Sequence, residues 1–234
     1  MNFIAFSDSK TIALIGVAGF ALLLVGPLAH ANLVTNGAFS NGYSGFSSQY
    51  GYADSATAER TFGVAANPSY FHPSAASFGD HTSGKGLMLV ANGASDANVF
   101  VWQQSIDLLA NTNYLFSGWT ASWGNFGDAT DPSPSRLNLL IDGVVTGSDF
   151  LVSAANGQWG EFQYAFTTGA KTNLSFSLIS NSGARVGNDF VLDDLNLSTI
   201  PEPGSLALLG LALAGLVITM RKPLASPRCV GLEV

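Results

Sequence analysis

Charge and cysteine are both scarce in this chain of 234 residues. Charged residues account for only 11% of it, apolar residues for 47%, and there is a single cysteine. A composition this apolar and this poor in charge excludes an intrinsically disordered chain. One cysteine cannot form a disulfide within the chain, so packing and hydrogen bonds have to stabilise the fold.

Basic residues are the scarcer of the two charged classes. Nine Lys and Arg stand against sixteen Asp and Glu, which gives a formal net charge of −7. Proteins that bind nucleic acids neutralise phosphates with clustered Lys and Arg. The composition therefore predicts no nucleic-acid partner.

The usual catalytic motifs are missing from residues 32–200. This part has no cysteine, no Gly-x-Ser-x-Gly and no His-Glu-x-x-His sequence. Its two histidines, His72 and His81, lie among Pro, Gly and Ser residues, which predicts solvated loops. Its two glutamates, Glu59 and Glu161, are far apart in sequence, whereas glycosidases need two positioned carboxylates. We expect no enzymatic activity.

Long runs that are both uncharged and predominantly apolar occur only near the two ends of the chain. At the N-terminus, residues 12–25 carry no charge, follow Lys10 and precede Ala29-His30-Ala31. A basic start, an apolar helix and small residues at Ala29 and Ala31 are typical of a secretory signal peptide. The sequence predicts a signal peptide at residues 1–31, cut by signal peptidase after Ala31. The alternative is an uncleaved membrane anchor or a buried helix.

The C-terminal run follows Pro201-Glu202-Pro203 and ends at Arg221 and Lys222. A helix at residues 204–220 would be about 25 Å long, enough to span a membrane when the cations snorkel to its surface. The positive-inside rule places Arg221 and Lys222 in the cytoplasm, together with a tail at residues 223–234. Residues 32–200 are then exported, in agreement with the signal peptide.

These C-terminal features resemble the PEP-CTERM sorting signal of exported bacterial proteins. The resemblance rests on Pro201-Glu202-Pro203, the apolar run and the basic pair, in that order, behind an N-terminal signal peptide. It implies processing by exosortase in a Gram-negative bacterium that makes extracellular polysaccharide. The protein would be anchored in the inner membrane before processing and then reach the cell surface or the extracellular matrix. The tail at residues 223–234 departs from the family, which usually ends after the basic cluster.

The sequence pattern of residues 32–200 is typical of strands joined by tight turns. Asn-Gly or Asp-Gly pairs, which tolerate the positive φ of tight turns, begin at positions 36, 41, 92, 142 and 156. Alternating apolar and polar residues predict half-buried antiparallel strands. The predicted strands are residues 86–91, 98–107, 113–121, 136–141, 161–166, 174–179 and 189–198. We expect an all-β, two-sheet antiparallel sandwich of eight to ten strands as a single domain.

This domain resembles the galactose-binding-like jelly rolls, which include carbohydrate-binding modules. The resemblance rests on the opening at residues 32–39, the central segment 103–119, the segment 137–143 and the closing segment 192–197, which occur in this order. It implies a jelly-roll sandwich and does not by itself assign a function.

The resemblance also implies a structural calcium where the first and last strands meet. Its ligands would be carbonyls near Asn36-Gly37-Ala38-Phe39, an acid that follows, and Asp193 or Asp194. Ser40 stands where the family usually has the acid. The open alternative is that both acids end a strand in solvent.

Alternation along the last strand favours Asp193 as the inward-pointing acid. It places Asp193 on the same side as Leu195 and Leu197, where a carboxylate would need a partner.

Two tryptophans are the best candidates for sugar-binding residues, because sugar rings stack on flat aromatic faces. Trp119 and Trp123 flank a segment rich in Gly, Asn, Asp and Pro, which predicts that both are exposed at a loop. The favoured interpretation is a noncatalytic exported protein of the cell surface or polysaccharide matrix. The alternatives are a carbohydrate-binding module proper, or a matrix-acting glycoside hydrolase or lyase, which two acids and a histidine in one groove would support.

Overall fold

The computed structural model describes residues 31–96, 98–124, 134–183 and 187–200, with residues 210–212 and 215 near the C-terminus. Residues 1–30 of the predicted signal peptide, with Ala29, lie outside these residues, as do the motif Pro201-Glu202-Pro203, the basic pair and the tail at 223–234. Of the predicted membrane helix only residues 210–212 and 215 are described, and they are helical. Within the described part of the chain, no helix is long and apolar enough to cross a membrane.

The described residues form ten strands and one short helix. Their bounds are β1 Gly51–Tyr52, β2 Thr61–Ala65, α1 Pro68–Phe71, β3 Met88–Asn92, β4 Phe100–Asp107, β5 Asn113–Ser122, β6 Arg136–Ile141, β7 Val144–Leu151, β8 Gly160–Thr167, β9 Asn173–Ser180 and β10 Phe190–Thr199. The seven strands predicted from alternation are all present. β1, β2 and β7 were not predicted, because β1 has only two residues and β7 is a mostly exposed strand without alternation.

The strands form two sheets, so the predicted all-β sandwich is confirmed. One sheet has six strands in the order β1-β2-β3-β10-β5-β8, and the other has four in the order β4-β9-β6-β7. Pairing is antiparallel throughout both, apart from the short parallel pair of β1 and β2. This interleaved order, in which chain neighbours pass from one sheet to the other, matches a jelly roll.

The main core lies between the sheets and is built on aromatic side chains. Phe116 of β5 lies parallel to Phe176 of β9, with ring centroids 5.9 Å apart, and Trp102 of β4 contacts the same Phe116 ring. All three side chains are fully buried. Aromatic contacts between strands of different sheets therefore hold the two layers together.

The turn between β6 and β7 has the geometry that its sequence predicts. Asp142 and Gly143 have φ values of 50° and 79°, and Ile141 pairs directly with Val144 across them. Two residues at positive φ match the twist of the flanking strands, which is why Asp-Gly is favoured there.

One extra residue in β10 reverses the expected alternation. Asp193 pairs with Trp119 and Asn196 pairs with Ser117, so β10 advances three residues where β5 advances two. Leu192 and Leu195 consequently both point into the main core. The prediction that Asp193 shares a side with Leu195 and Leu197 is therefore wrong, because this bulge turns Asp193 to the outer face of the six-stranded sheet.

The close contact between the chain's opening and β10 makes a test of the fold. A Cβ atom added at Gly37 would lie 2.0 Å from the backbone oxygen of Leu195, so Gly37→Ala forces β10 or the opening to move. We expect a loss of about 1–3 kcal/mol in the free energy of unfolding, measured by chemical denaturation.

Gly169→Ala is the matched control for this substitution, because an added Cβ there meets nothing within 4 Å. Equal stability of the two variants would contradict the packing of the opening against β10.

Candidate functional site

A surface segment, residues 78–86, lies against the outer face of the six-stranded sheet; we call it the strap. The His81 ring stacks on the Trp119 ring, with centroids 3.8 Å apart and planes 13° from parallel. Trp159 meets the edge of His81 at 5.6 Å and packs edge-on against Phe78 at 6.1 Å. The strap therefore covers both half-buried tryptophans of this face.

The two acids of β10 anchor the strap. Asp193 is only 1% exposed, and its Oδ2 accepts the backbone N–H of His81 at 3.0 Å. Asp194 accepts a hydrogen bond from the Thr82 hydroxyl and pairs with Nδ1 of His81 at 2.8 Å. Trp119, Asp193 and Asp194, which the sequence suggested for separate roles, thus meet at one place around His81. Two acids and a histidine are the combination named above for a hydrolase or lyase, but here Asp193 is buried and both carboxylates are bonded to the strap.

Burial has the largest effect on the pKa of Asp193. It raises the pKa of this carboxyl to about 7, and repulsion from the Asp194 carboxylate adds to the rise. Backbone N–H groups of Asp194 and His81 oppose the rise by donating to the carboxylate. The Asp193 carboxyl therefore keeps its proton to a higher pH than an exposed aspartate does.

The strap also carries an internal carboxylate. Asp80 accepts the backbone N–H of Gly86 at 2.7 Å and the N–H and hydroxyl of Ser83. Burial works against ionisation, but these hydrogen bonds outweigh it and lower the pKa of Asp80. Asp80 thereby closes the strap into a compact loop.

The histidine and tryptophan expectations need correction. Trp123 is 1% exposed rather than a loop aromatic, and its Nε1 donates to the Ala91 oxygen at 2.9 Å. It belongs to a second cluster on the outer face, beside Met88 and Val191. His72, expected in solvent, is half-buried 5.1 Å from the Trp123 ring, and burial lowers its pKa.

Trp119 is half-buried, and the strap occupies one face of its ring. His81, which was also expected in solvent, supplies that cover, with only 26% of its side chain exposed. The tryptophan favoured for sugar stacking is therefore engaged by a neighbour in the chain.

The calcium expectation stays a prediction. Asp193 and Asp194 both bond the strap, while the Thr35 and Gly45 oxygens near the chain's opening accept from Gln104 Nε2. Across the described ranges, no group of three or more His, Cys, Asp or Glu residues is arranged to hold a metal ion. Both acids expected to bind calcium thus have partners on the strap in this structure.

The exposed aromatic surface is made by tyrosines instead. Tyr43 and Tyr52, 41% and 47% exposed, stack with ring centroids 4.9 Å apart. Tyr43 also meets Phe62 edge-on at 4.9 Å and Phe46 at 5.1 Å. We call Tyr43 and Tyr52 the tyrosine pair. No spacing in the sequence pointed to this pair, although Tyr43 does follow the Asn41-Gly42 turn.

A polar groove adjoins the tyrosine pair through Phe46. The groove has a volume of about 440 Å³ and is lined by Gly45, Phe46, Ser47, Gln103, Gln104 and Ser105. Gln103 donates to the Ser177 hydroxyl at 2.8 Å, which fixes its amide on the sheet surface. The lining offers the Gln103 amide and the Ser47 and Ser105 hydroxyls without a formal charge, whereas the Gln104 amide is bonded to the backbone.

Fold and sequence together define a two-sheet β-sandwich protein with a C-terminal sorting motif. Residues 199–222 match the PEP-CTERM protein-sorting motif, which confirms the prediction made from Pro201-Glu202-Pro203 and the basic pair. The match begins at the last residue of β10. None of the curated proteins compared with the chain matches it.

Several solved structures resemble the sandwich. A Stig cyclase from Fischerella sp. TAU matches with a TM-score of 0.50 and 15% identity, over 74% of this chain and 98% of the cyclase. The CBM22-1 xylan-binding domain from Paenibacillus barcinonensis matches with a TM-score of 0.48 and 15% identity, over 75% and 98%. A family 16 carbohydrate-binding module matches with a TM-score of 0.43 and 18% identity, over 71% and 99%. At these identities the cyclase match shows the fold alone.

The raised pKa of Asp193 predicts how stability varies with pH. The pKa of Asp193 is about 7 in the folded protein and 3.8 in the unfolded chain. The protonated carboxyl therefore stabilises the fold at low pH, and this stabilisation is lost as the pH rises from the unfolded pKa through the folded one. In Asp193→Asn, which cannot ionise, the fall in unfolding free energy between pH ~5 and ~8 should be shallower by about 1–3 kcal/mol.

The measurement is chemical denaturation across that pH range. Asp96→Asn is the control, because its side chain is 69% exposed, and it should keep the wild-type slope. Burial also raises the pKa of Asp189, to about 6. The unfolding free energy should therefore still fall with rising pH in every variant. An unchanged slope in Asp193→Asn would contradict the assignment.

Proposed function

We propose that this is a noncatalytic exported protein that exosortase processes and delivers to the cell surface or extracellular polysaccharide matrix. The single observation that carries the proposal is the match of residues 199–222 to the PEP-CTERM protein-sorting motif. Signal peptidase and exosortase are its processing partners, and the inner membrane of a Gram-negative bacterium holds it before processing.

The position of the motif supports this order of events. β10 lies between β3 and β5 and ends at Thr199, and the Ile200 N–H still donates to the Asn113 oxygen at 2.8 Å. Pro201 comes next, so a cut within or after Pro201-Glu202-Pro203 removes no strand of the sandwich. The exported domain keeps its complete core after processing.

The start of the domain supports the proposed cut after Ala31. Asn32 would become the first residue, and its side chain accepts the Leu197 N–H at 3.0 Å and donates to the Leu195 oxygen at 2.8 Å. Cleavage there leaves this contact with β10 intact. Both proposed processing points thus border the folded part of the chain.

Deletion of residues 201–222 tests the sorting proposal in a polysaccharide-producing host. We expect the complete chain to be shortened and recovered at the cell surface or in the matrix, whereas the deletion variant loses membrane association and is secreted at a constant size. Fractionation and immunoblotting measure both properties.

Replacement of Pro201, Glu202 and Pro203 by alanine is the matched control, since it keeps the apolar run and the basic pair. It should leave an unshortened protein in the inner membrane. Unchanged size and release in both variants would contradict the proposal.

The tyrosine pair favours a second, compatible function, which is binding of a neutral polysaccharide. Aromatic faces and a groove of amides and hydroxyls suit sugar rings and their hydroxyl groups. The groove lining has no formal charge, and residues 32–200 contain thirteen acids against five bases. This excess of acid disfavours polymers of uronic acids.

Affinity electrophoresis tests this binding with xylan or a β-glucan as neutral polymers and alginate as an acidic one. Tyr43→Ala and Tyr52→Ala should each weaken the retardation by the neutral polymer roughly tenfold. Tyr70→Ala is the control, because Tyr70 is 71% exposed on α1 and should bind as the wild type does. Equal retardation of all variants, or preference for alginate, would contradict the assignment.

A further inference from the structure

We propose that side-chain amides, chiefly that of Gln104, take the place of a structural calcium in this sandwich. The resembled modules are expected to hold calcium where the chain's opening meets the last strand. In this chain Gln104 ties the opening to β4, Asn36 bonds within the opening and Asn32 joins it to β10, and the fold does not require the cation.

Gln104 binds the backbone on both sides of the opening. Its Nε2 donates to the Gly45 oxygen at 2.6 Å and to the Thr35 oxygen at 3.1 Å. Its Oε1 accepts the Thr35 N–H at 2.9 Å. Two acceptors and one donor on the backbone fix which end of the amide is nitrogen. Gln104 is 8% exposed, so water has little access to these bonds.

The two carbonyls are the kind of ligand that calcium uses, and a cation would compete for them. An NH₂ group has two N–H donors and can satisfy two carbonyls at once without burying a charge. With Gln104 in place, both of its donors are used. The position between Thr35 and Gly45 therefore already holds a donor group.

Asn36 and Asn32 repeat this arrangement beside Gln104. Asn36 Nδ2 donates to the oxygens of Gly42 and Ser44, both at 2.9 Å. Asn32 bonds the backbone of β10, and the Leu195 N–H donates to the Gly37 oxygen at 2.9 Å. The bonds of Asn32 and the Gly37 oxygen join the opening to β10, those of Asn36 hold the opening itself, and all of them are neutral.

The carboxylates that calcium would need are engaged elsewhere. Ser40 follows Phe39 where the resembled modules carry an acid. Asp193 and Asp194 bond His81 and Thr82 of the strap. The carbonyls near the opening are thus left without the anionic ligands that hold a divalent cation in proteins.

The test compares melting temperatures of the purified full chain with excess calcium and with a chelator. The wild type should melt at the same temperature in both. Gln104→Glu replaces the donor by a carboxylate beside two carbonyls, so it should melt roughly 5–15 °C lower in chelator. Calcium should restore much of that loss, because the new carboxylate supplies the missing anionic ligand.

Gln163→Glu is the matched control, since it adds the same charge to an exposed position of β8 and should show neither effect. A wild type that loses stability in chelator would overturn the proposal, as would a Gln104→Glu variant as stable as the wild type in chelator. If Gln104→Glu does not fold, Gln104→Met is measured instead. An equal drop in melting temperature with calcium and with chelator supports the proposal, and a higher melting temperature with calcium overturns it.

Discussion

The bulge in β10 is the constraint on which the rest of the structure depends. β10 lies inside the six-stranded sheet, and its extra residue between Asp193 and Asn196 changes which side chains face the core. Leu192 and Leu195 both point inward, so Asp193 is free to face the opposite side. There it accepts the His81 N–H and fixes the strap. Without the bulge, either Asp193 or Leu195 would lie on the wrong face of the sheet.

The strap in turn decides which aromatic residues remain accessible. His81 covers a face of Trp119, and Phe78 packs on Trp159. Trp102 and Trp123 are buried in the two clusters. The tryptophans therefore stabilise the sandwich, while the tyrosine pair stays exposed. This division explains why the proposed binding surface adjoins the groove and not the acids of β10.

Local patterns predicted seven of the ten described strands, the tight turn at Asp142-Gly143 and the sorting motif, because each depends on residues close in sequence. Alternation describes a single strand, whereas the extra residue of β10 is visible only in its pairing with β5. The sequence pattern could not reveal it. The His81–Asp194 pair joins residues that are 113 positions apart, and no local feature of the loop around His81 predicts it. Trp123 was predicted to be exposed from its Gly-rich neighbours, although the strand before it and the cluster around Val191 decide its burial.

The central claim is that two processing events leave the sandwich as the exported product. The most direct measurement is the intact mass of the natively exported protein together with sequencing of both its termini. We expect an N-terminus at Asn32 and a C-terminus at or after Pro201, without the basic pair Arg221 and Lys222. A mature protein that retains residues 1–31 or the basic pair, or that ends inside β10, would contradict it.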